Sequence, residues 1–202
     1  MAILDISKIK SAEELEKRAR LDLEGKTLAE ISDWIRNSDS VTRVSSKAGV
    51  GHLIEEGYFG IGKNNVAGAD IEHLQVEIKT SPLTMGADGK LRVKEPLSLN
   101  IINYQKEHLS NGIEESSLYK KNRRILFIWY IHDRSKLRSE YVVRYVFLWE
   151  MDDAVLAELA PDYRAILDSI RSGNAHGIHQ HQHDALTLCP KHGGKFKDPD
   201  CR

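Results

Sequence analysis

Residues 69–80 read ADIEHLQVEIKT, from Ala69 to Thr80. The second half, Gln75-Val76-Glu77-Ile78-Lys79, alternates β-branched residues with polar and charged ones. That two-residue period is the signature of a half-buried strand. Val76 and Ile78 fall on the face assigned to the core, and Glu77 and Lys79 share the other face. Asp70 stands seven residues before Glu77. Two readings follow. A Glu-x-Lys pair on a strand is a solvated surface ion pair worth about 0–1 kcal/mol. Two carboxylates beside an ammonium also make a set of hard oxygen donors suited to a divalent cation.

Upstream of this strand the pattern is helical. Ser11-Ala-Glu-Glu14 is a capping box, and Gly25 stops the helix it opens. Thr27-Leu-Ala-Glu30 is a second capping box, after which Leu28, Ile31, Trp34 and Ile35 form an apolar stripe at helical spacing. Trp34 is therefore placed in the core. Residues 37–48 are polar and loop-like. Gly49 to Gly57 reads as a short helix ended by glycine, with Leu53 and Ile54 inward and a glutamate turned outward. Residues 60–68, rich in Gly and Asn, read as a loop.

Downstream, residues 82–90 with Met85-Gly-Ala-Asp-Gly89 read as a hairpin connection. Residues 97–102 alternate and read as a strand. Residues 125–131 form an uninterrupted apolar run, a fully buried strand, with residues 141–149 as its neighbour. Asp152 or Asp153 caps a helix that runs to Gly173 with a break near Pro161. A short strand is expected at residues 185–189. Strands lying between helices at both ends give an α/β or α+β class with a mixed central sheet flanked by helices.

The chain has 202 residues, 41% of them hydrophobic, enough for one good-sized core. Its net charge of −1 excludes no partner class by itself. Locally, however, residues 120–144 hold eight Lys or Arg against two acids, Asp133 and Glu140. Two cysteines, Cys189 and Cys201, make no disulfide framework. There is no secretory leader pattern, and the apolar run of residues 125–131 is far short of the roughly 20 residues that span a bilayer. The expectation is a cytoplasmic protein with no membrane contact.

Hydrolysis of a phosphodiester needs an attacking water, charge relief at phosphorus and help for the leaving oxygen, and Mg²⁺ supplies these. Mg²⁺ usually takes only one or two protein carboxylates. Asp70 and Glu77 are such a pair. Lys79 is placed to hold or deprotonate the water or to offset charge on the phosphate. Glu55, carried on a helix, is placed to complete the set or orient Lys79.

More than this short pattern matches a known family. GVGHLIEEGYFG (residues 49–60), a Gly/Asn loop and GADIEHLQVEIKTSP (residues 68–82) resemble the catalytic core of the MutH family. That family joins a mismatch-repair nickase to GATC-cutting type II restriction endonucleases of the Sau type. The resemblance puts its helix glutamate on Glu55, its aspartate on Asp70 and its strand pair on Glu77 and Lys79. Gln75 stands where the family usually has Gly. EPLSLNIINYQKE (95–107), EESSLYKKNRRILFIWY (114–130), GNAHGI (173–178) and ALTLCPKHGG (185–194) resemble the Sau-type enzymes in particular.

The resemblance implies a restriction-endonuclease-like core with two lobes around a DNA cleft. It implies Mg²⁺-dependent cutting of double-stranded DNA at GATC, with Asp70 and Glu77 as metal ligands, leaving 5′-phosphate and 3′-hydroxyl ends. Lys191 falls where the family places a base-reading lysine, a sensible donor to guanine O6 and N7. Lys120, Lys121, Arg123 and Arg124 are candidate phosphate contacts. Residues 1–202 are thus expected to form a single nuclease domain, the catalytic fragment of a longer chain. In that reading residues 174–202 are an incomplete DNA-contacting segment, and a second domain of the same chain or a second copy completes the assembly on DNA. Cys189 and His192, with His183 and Cys201, have spacing compatible with zinc. The alternatives are a catalytically silent DNA-recognition module and a MutH-like single-strand nickase.

Overall fold

In the computed structural model Glu77–Met85 (β1), Leu91–Val93 (β2), Arg124–Ile131 (β3) and Val143–Glu150 (β4) form one sheet in the spatial order β2-β1-β3-β4. The described residues are 3–37, 49–62, 68–177 and 185–188. β1 and β3 run parallel, while β2 on β1 and β4 on β3 are antiparallel, so the sheet is mixed as expected. The fold is α+β. Among the described residues no helix is long and apolar enough to cross a membrane.

Two units are distinguished: residues 1–99 with 121–150, and residues 100–120 with 151–202. The first contains the sheet. The register sets Ile78, Leu126 and Leu148 on one face, with Thr80, Ile128 and Val146 beside them. Against this face pack Ala12–Leu23 (α1) and Leu28–Asn37 (α2), which contribute the buried Leu15, Ala19, Leu23, Leu28, Ile31 and Ile35. Only the Thr27 box is complete; at Ser11 the Glu14 carboxylate accepts from Lys10 N (2.8 Å) instead of from the N–H of the cap residue. Ser11 accepts from Glu14 N (3.2 Å) to start α1. Thr27 and Glu30 exchange bonds at the start of α2 (Thr27 N to Glu30 Oε2, 2.7 Å; Glu30 N to Thr27 Oγ1, 3.1 Å). Trp34 is partly buried against the core and meets the Tyr58 ring at 6.1 Å.

Several local expectations are corrected. The helix at Gly49–His52 (α3) does not stop at Gly57. It widens into a π-helical turn over Leu53–Tyr58 and carries Gly57 inside it. Gly57 is a packing glycine: a Cβ there would lie 2.5 Å from Ile35 Cδ1. Gln75 is not in the strand but left-handed, with φ of 54°, and β1 starts at Glu77 and continues through Pro82. Pro82 turns its carbonyl toward the β2 edge, where it accepts from Lys94 N (3.0 Å) just past the paired stretch. Its missing N–H therefore breaks no ladder bond to β3. The hairpin turn is confined to residues 86–90, closed by Gly86 N to Lys90 O at 2.8 Å.

The second unit holds Tyr104–Glu107 (α4), the first part of Ser117–Asn122 (α5) and Asp153–Arg171 (α6). Glu107 is buried and accepts from Ser117 N (3.2 Å) and from Tyr163 Oη (2.9 Å). Burial and this bond push the Tyr163 phenol up to about 12. Asp152 is the cap of α6. Pro161 lies within α6 without ending it. Pro161 and Ala157 are both exposed, so the carbonyl that loses its partner faces water. The strand expected at residues 97–102 does not form; they pair with no strand. Residues 185–188 are likewise not a strand; Ala185 N and Leu186 N donate to Asp162 Oδ2 at 2.8 and 2.9 Å.

Candidate active site

Asp70 reaches the head of β1 through a tight local loop. Ile71 and Val76 bridge each other across a turn that the left-handed Gln75 closes. This folds Asp70 back so that its Oδ2 accepts from Ile78 N at 3.0 Å, while its own N–H points at Glu77 Oε2 at 3.3 Å. The strand period then places Glu77 and Lys79 on one face, as the sequence predicts. Lys79 Nζ donates to Glu77 Oε1 (2.8 Å) and to the Leu99 carbonyl (3.1 Å).

That face is not a solvated surface. Across the ladder from Glu77 and Lys79 lie Ile125 and Phe127 of β3, then Trp149 and Phe147 of β4. Phe127 touches Phe147 at 5.3 Å and Trp129 at 5.7 Å, ring centre to ring centre. Glu77 is only 2% exposed, and burial raises its carboxyl above the ordinary range against the pull of Lys79. The bland reading of an exposed strand ion pair therefore fails on burial.

Glu55 arrives on the π-helical turn. It is raised by burial first and by the Asp70 charge second, with His52 and Lys79 acting the other way. It thus stands within electrostatic reach of the cluster, although no hydrogen bond joins it to Asp70 or Glu77 among the described residues. His52 Nδ1 sits 3.1 Å from Glu56 Oε1, a local pair on the same helical segment.

The basic run divides. Lys121 Nζ lies 3.6 Å from Glu77 Oε1, a second ammonium at the carboxylate. Arg124 pairs with Glu150 across β3 and β4. Lys120 is exposed and Arg123 half-buried. The charge run by itself does not separate Lys121 from its neighbours; its place comes from the helix Ser117–Asn122 that leads into β3. That helix is signalled by Ser116, whose Oγ accepts from Tyr119 N at 3.0 Å as an N-cap. Lys191, Cys189, His183, His192 and Cys201, with the base-reading and zinc expectations, lie outside the described residues.

Among the described residues no three His, Cys, Asp or Glu side chains are gathered to cage a metal by themselves. The donor set nonetheless suits a hard divalent ion. Asp70 Oδ1 has no hydrogen bond among the described residues, and the bond to Glu77 Oε2 is long. Burial raises the carboxyls of Glu55 and Glu77, a cost to their charged forms that a bound cation would offset. Mg²⁺ fits a two-carboxylate site because it keeps waters and takes phosphate oxygens for the rest of its shell.

A family model described as the DNA mismatch repair enzyme MutH matches residues 59–162. That stretch spans Asp70, Glu77, Lys79 and Lys121, with Glu55 just ahead of it. The type II restriction enzyme Sau3AI of Staphylococcus aureus is 30% identical over 148 residues, which cover 72% of this chain and 30% of that protein. The chain thus spans about 30% of the length of the curated relative it matches.

Proposed function

The chain belongs to the MutH family, and from that premise and the geometry above we propose that it is a Mg²⁺-dependent, site-specific endonuclease acting on double-stranded DNA at GATC in the cytoplasm. The observation that carries this reading is the continuous cluster of Asp70, Glu77, Lys79 and Lys121, with Glu77 buried and the other three half-buried on or beside the sheet face that also carries Phe127, Phe147 and Trp149. In this reading Asp70 and Glu77 hold the cation, which supplies charge relief at phosphorus and acidifies its water. Lys79, fixed by two acceptors, presents a positioned ammonium to the charge that develops on the phosphate. Lys121 adds a second ammonium, so that Glu77 is held between two cations and cannot swing away from the strand. Glu55 orients the polar groups from the helix side. The GATC preference rests on the Sau-type stretches at 95–107, 114–130, 173–178 and 185–194. Lys191 is its proposed base contact, and Lys120 and Arg123 are proposed phosphate contacts.

The test is digestion of supercoiled plasmids with and without GATC sites, in Mg²⁺ or in EDTA. Linear product from GATC plasmid in Mg²⁺ alone is expected, with 5′-phosphate ends, and Lys79→Ala should lower the rate by about 100-fold or more. Nicked circles as the end product would make it a nickase. Bound but uncut plasmid would make it a recognition module. Cutting by Lys79→Ala at the wild-type rate would remove the assigned role.

A further inference from the structure

Thr80 and Pro82 face the opposite side of β1 from Lys79, and there they border a cavity of about 260 Å³. Its lining includes Lys94, which follows β2, His132, which follows β3, and Arg138. All three are half-buried. None of these side chains makes a hydrogen bond or ion pair with a described residue, whereas Glu95, the acid in the lining, has an interaction of its own. A half-buried Lys or Arg without a partner is uncommon, because desolvation is then uncompensated. Such a group of donors calls for an acceptor-only, anionic ligand.

The walls are firm. Tyr130 and Tyr141 stack at 5.9 Å with planes 15° apart, and His132 leans on Tyr141 at 5.2 Å. Burial raises the Tyr130 phenol, which keeps it an O–H donor. Arg, Lys, Tyr, Thr and imidazole N–H together offer the forked and single donors that phosphate oxygens accept. The cavity is smaller than the roughly 300–1,000 Å³ of sites that enclose a whole small molecule. It therefore suits one group on a longer polymer.

The cavity also adjoins the proposed nuclease site. Gly51 and Thr80 both line it, and a Cβ on Gly51 would lie 3.5 Å from Glu55 Oε1 and 3.5 Å from Thr80 Oγ1. One glycine thus separates the Glu55 carboxylate from the cavity, and the absence of a side chain there keeps both open.

We propose that this cavity seats a non-scissile phosphate of the DNA strand entering the site, gripped by Arg138 and Lys94 with His132 and Tyr130 donating beside them. The proposal rests on the nuclease reading for its ligand, but it is tested by binding and not by cutting. The phosphate fixes the register of the strand relative to Asp70 and Glu77 and carries no sequence information, as backbone contacts generally do.

The experiment is fluorescence anisotropy of the full chain with a labelled GATC duplex in EDTA, from about 50 to 200 mM salt. Arg138→Ala and Lys94→Ala should each weaken binding by about 5- to 10-fold and flatten the slope of log K against log salt by about 0.9, one phosphate's worth. Lys136→Ala, exposed on the same connection, should match wild type. Single methylphosphonates scanned along the duplex should weaken wild type most at one position, and Arg138→Ala should lose that sensitivity. If Arg138→Ala does not fold by circular dichroism, Arg138→Gln and Lys94→Ala carry the same comparison. Wild-type affinity and slope in the variants, or an identical methylphosphonate profile, would overturn the proposal, as would a wild-type chain that binds no duplex. Arg138-dependent binding without any Mg²⁺-dependent cutting would uphold the phosphate seat while removing the nuclease reading.

Discussion

Replacing Gly57 with alanine drives a methyl group into the centre of the first unit. The new Cβ would lie 2.5 Å from Ile35 Cδ1 and 3.3 Å from Ile35 Cγ1 and Cγ2. Ile35 is fully buried on α2, so it has little room to turn away. Overpacking of this kind costs about 1–3 kcal/mol. Alanine gives back about 1 kcal/mol of helix propensity, which leaves a net loss of about 1 kcal/mol, with about 2 as the upper end. Ile35→Val removes the clashing Cδ1 and alone costs about 0.5–1.5 kcal/mol. In the double variant the two losses should fall short of their sum by about 1 kcal/mol, since each change relieves the other. Urea unfolding followed by tryptophan fluorescence measures all three. Glu55 lies two residues earlier on the same turn, so the rate of DNA cutting should also drop in Gly57→Ala and recover in the double variant. A Gly57→Ala protein as stable as wild type, or strict additivity with Ile35→Val, would refute the reasoning.

Two further outcomes follow from the same strand. Gln75 adopts φ of 54° and donates from Nε2 to the Glu72 carbonyl at 2.6 Å, so Gln75→Gly should be more stable than Gln75→Ala by about 1 kcal/mol, read from the urea midpoints of the pair; equal midpoints would show that the left-handed turn is not strained. Burial raises the Glu77 carboxyl in the folded protein against the pull of Lys79, so ionising it costs stability above its unfolded value near 4.5 and that cost fades as pH falls through the folded value. Glu77→Gln, a neutral isostere, should then unfold at higher urea than wild type at pH 7 in EDTA while cutting falls; a lower midpoint would show that the two lysines outweigh burial.

Elements whose evidence is local were legible in the sequence. Both N-terminal helices start on a Ser or Thr cap, reciprocated by Glu30 at Thr27, and the apolar run of β3 admits few other readings. The Glu77–Lys79 pair follows from a period of two, which tertiary context cannot change without moving Val76 and Ile78 out of the core. Illegible were features decided by a distant partner. Gly57 reads as a stop signal because glycine usually ends helices, yet here it is dictated by Ile35, twenty-two positions away. Residues 97–102 alternate like a strand but join no sheet; instead the Leu99 carbonyl accepts from Lys79 Nζ. Pro161 reads as a breaker, but the Ala157 carbonyl it leaves without a partner lies on the exposed side of the helix, and Pro82 stays in β1 because its missing N–H lies on the β2 side, past the paired stretch.

The site itself divides along the same line. Residue identity pointed to the candidate carboxylates and lysine, but not to their environment, because the aromatic residues Phe127, Phe147 and Trp149 come from strands 50 to 72 positions beyond Glu77. On this sheet face Glu77 is buried while Asp70, Lys79 and Lys121 stay half-buried, which is not the setting of an ordinary surface motif. An exposed Glu-x-Lys pair is nearly neutral for stability and leaves its lysine in water. Set against aromatic rings, the same pair makes a carboxylate that benefits from a cation and an ammonium whose field is poorly screened. The register between β1 and β3 therefore does more than stack a sheet: a slip of one residue would put Val76 and Ile78 beside the rings and Glu77 among the helices. Fold and site are specified by one alternation, read from two sides.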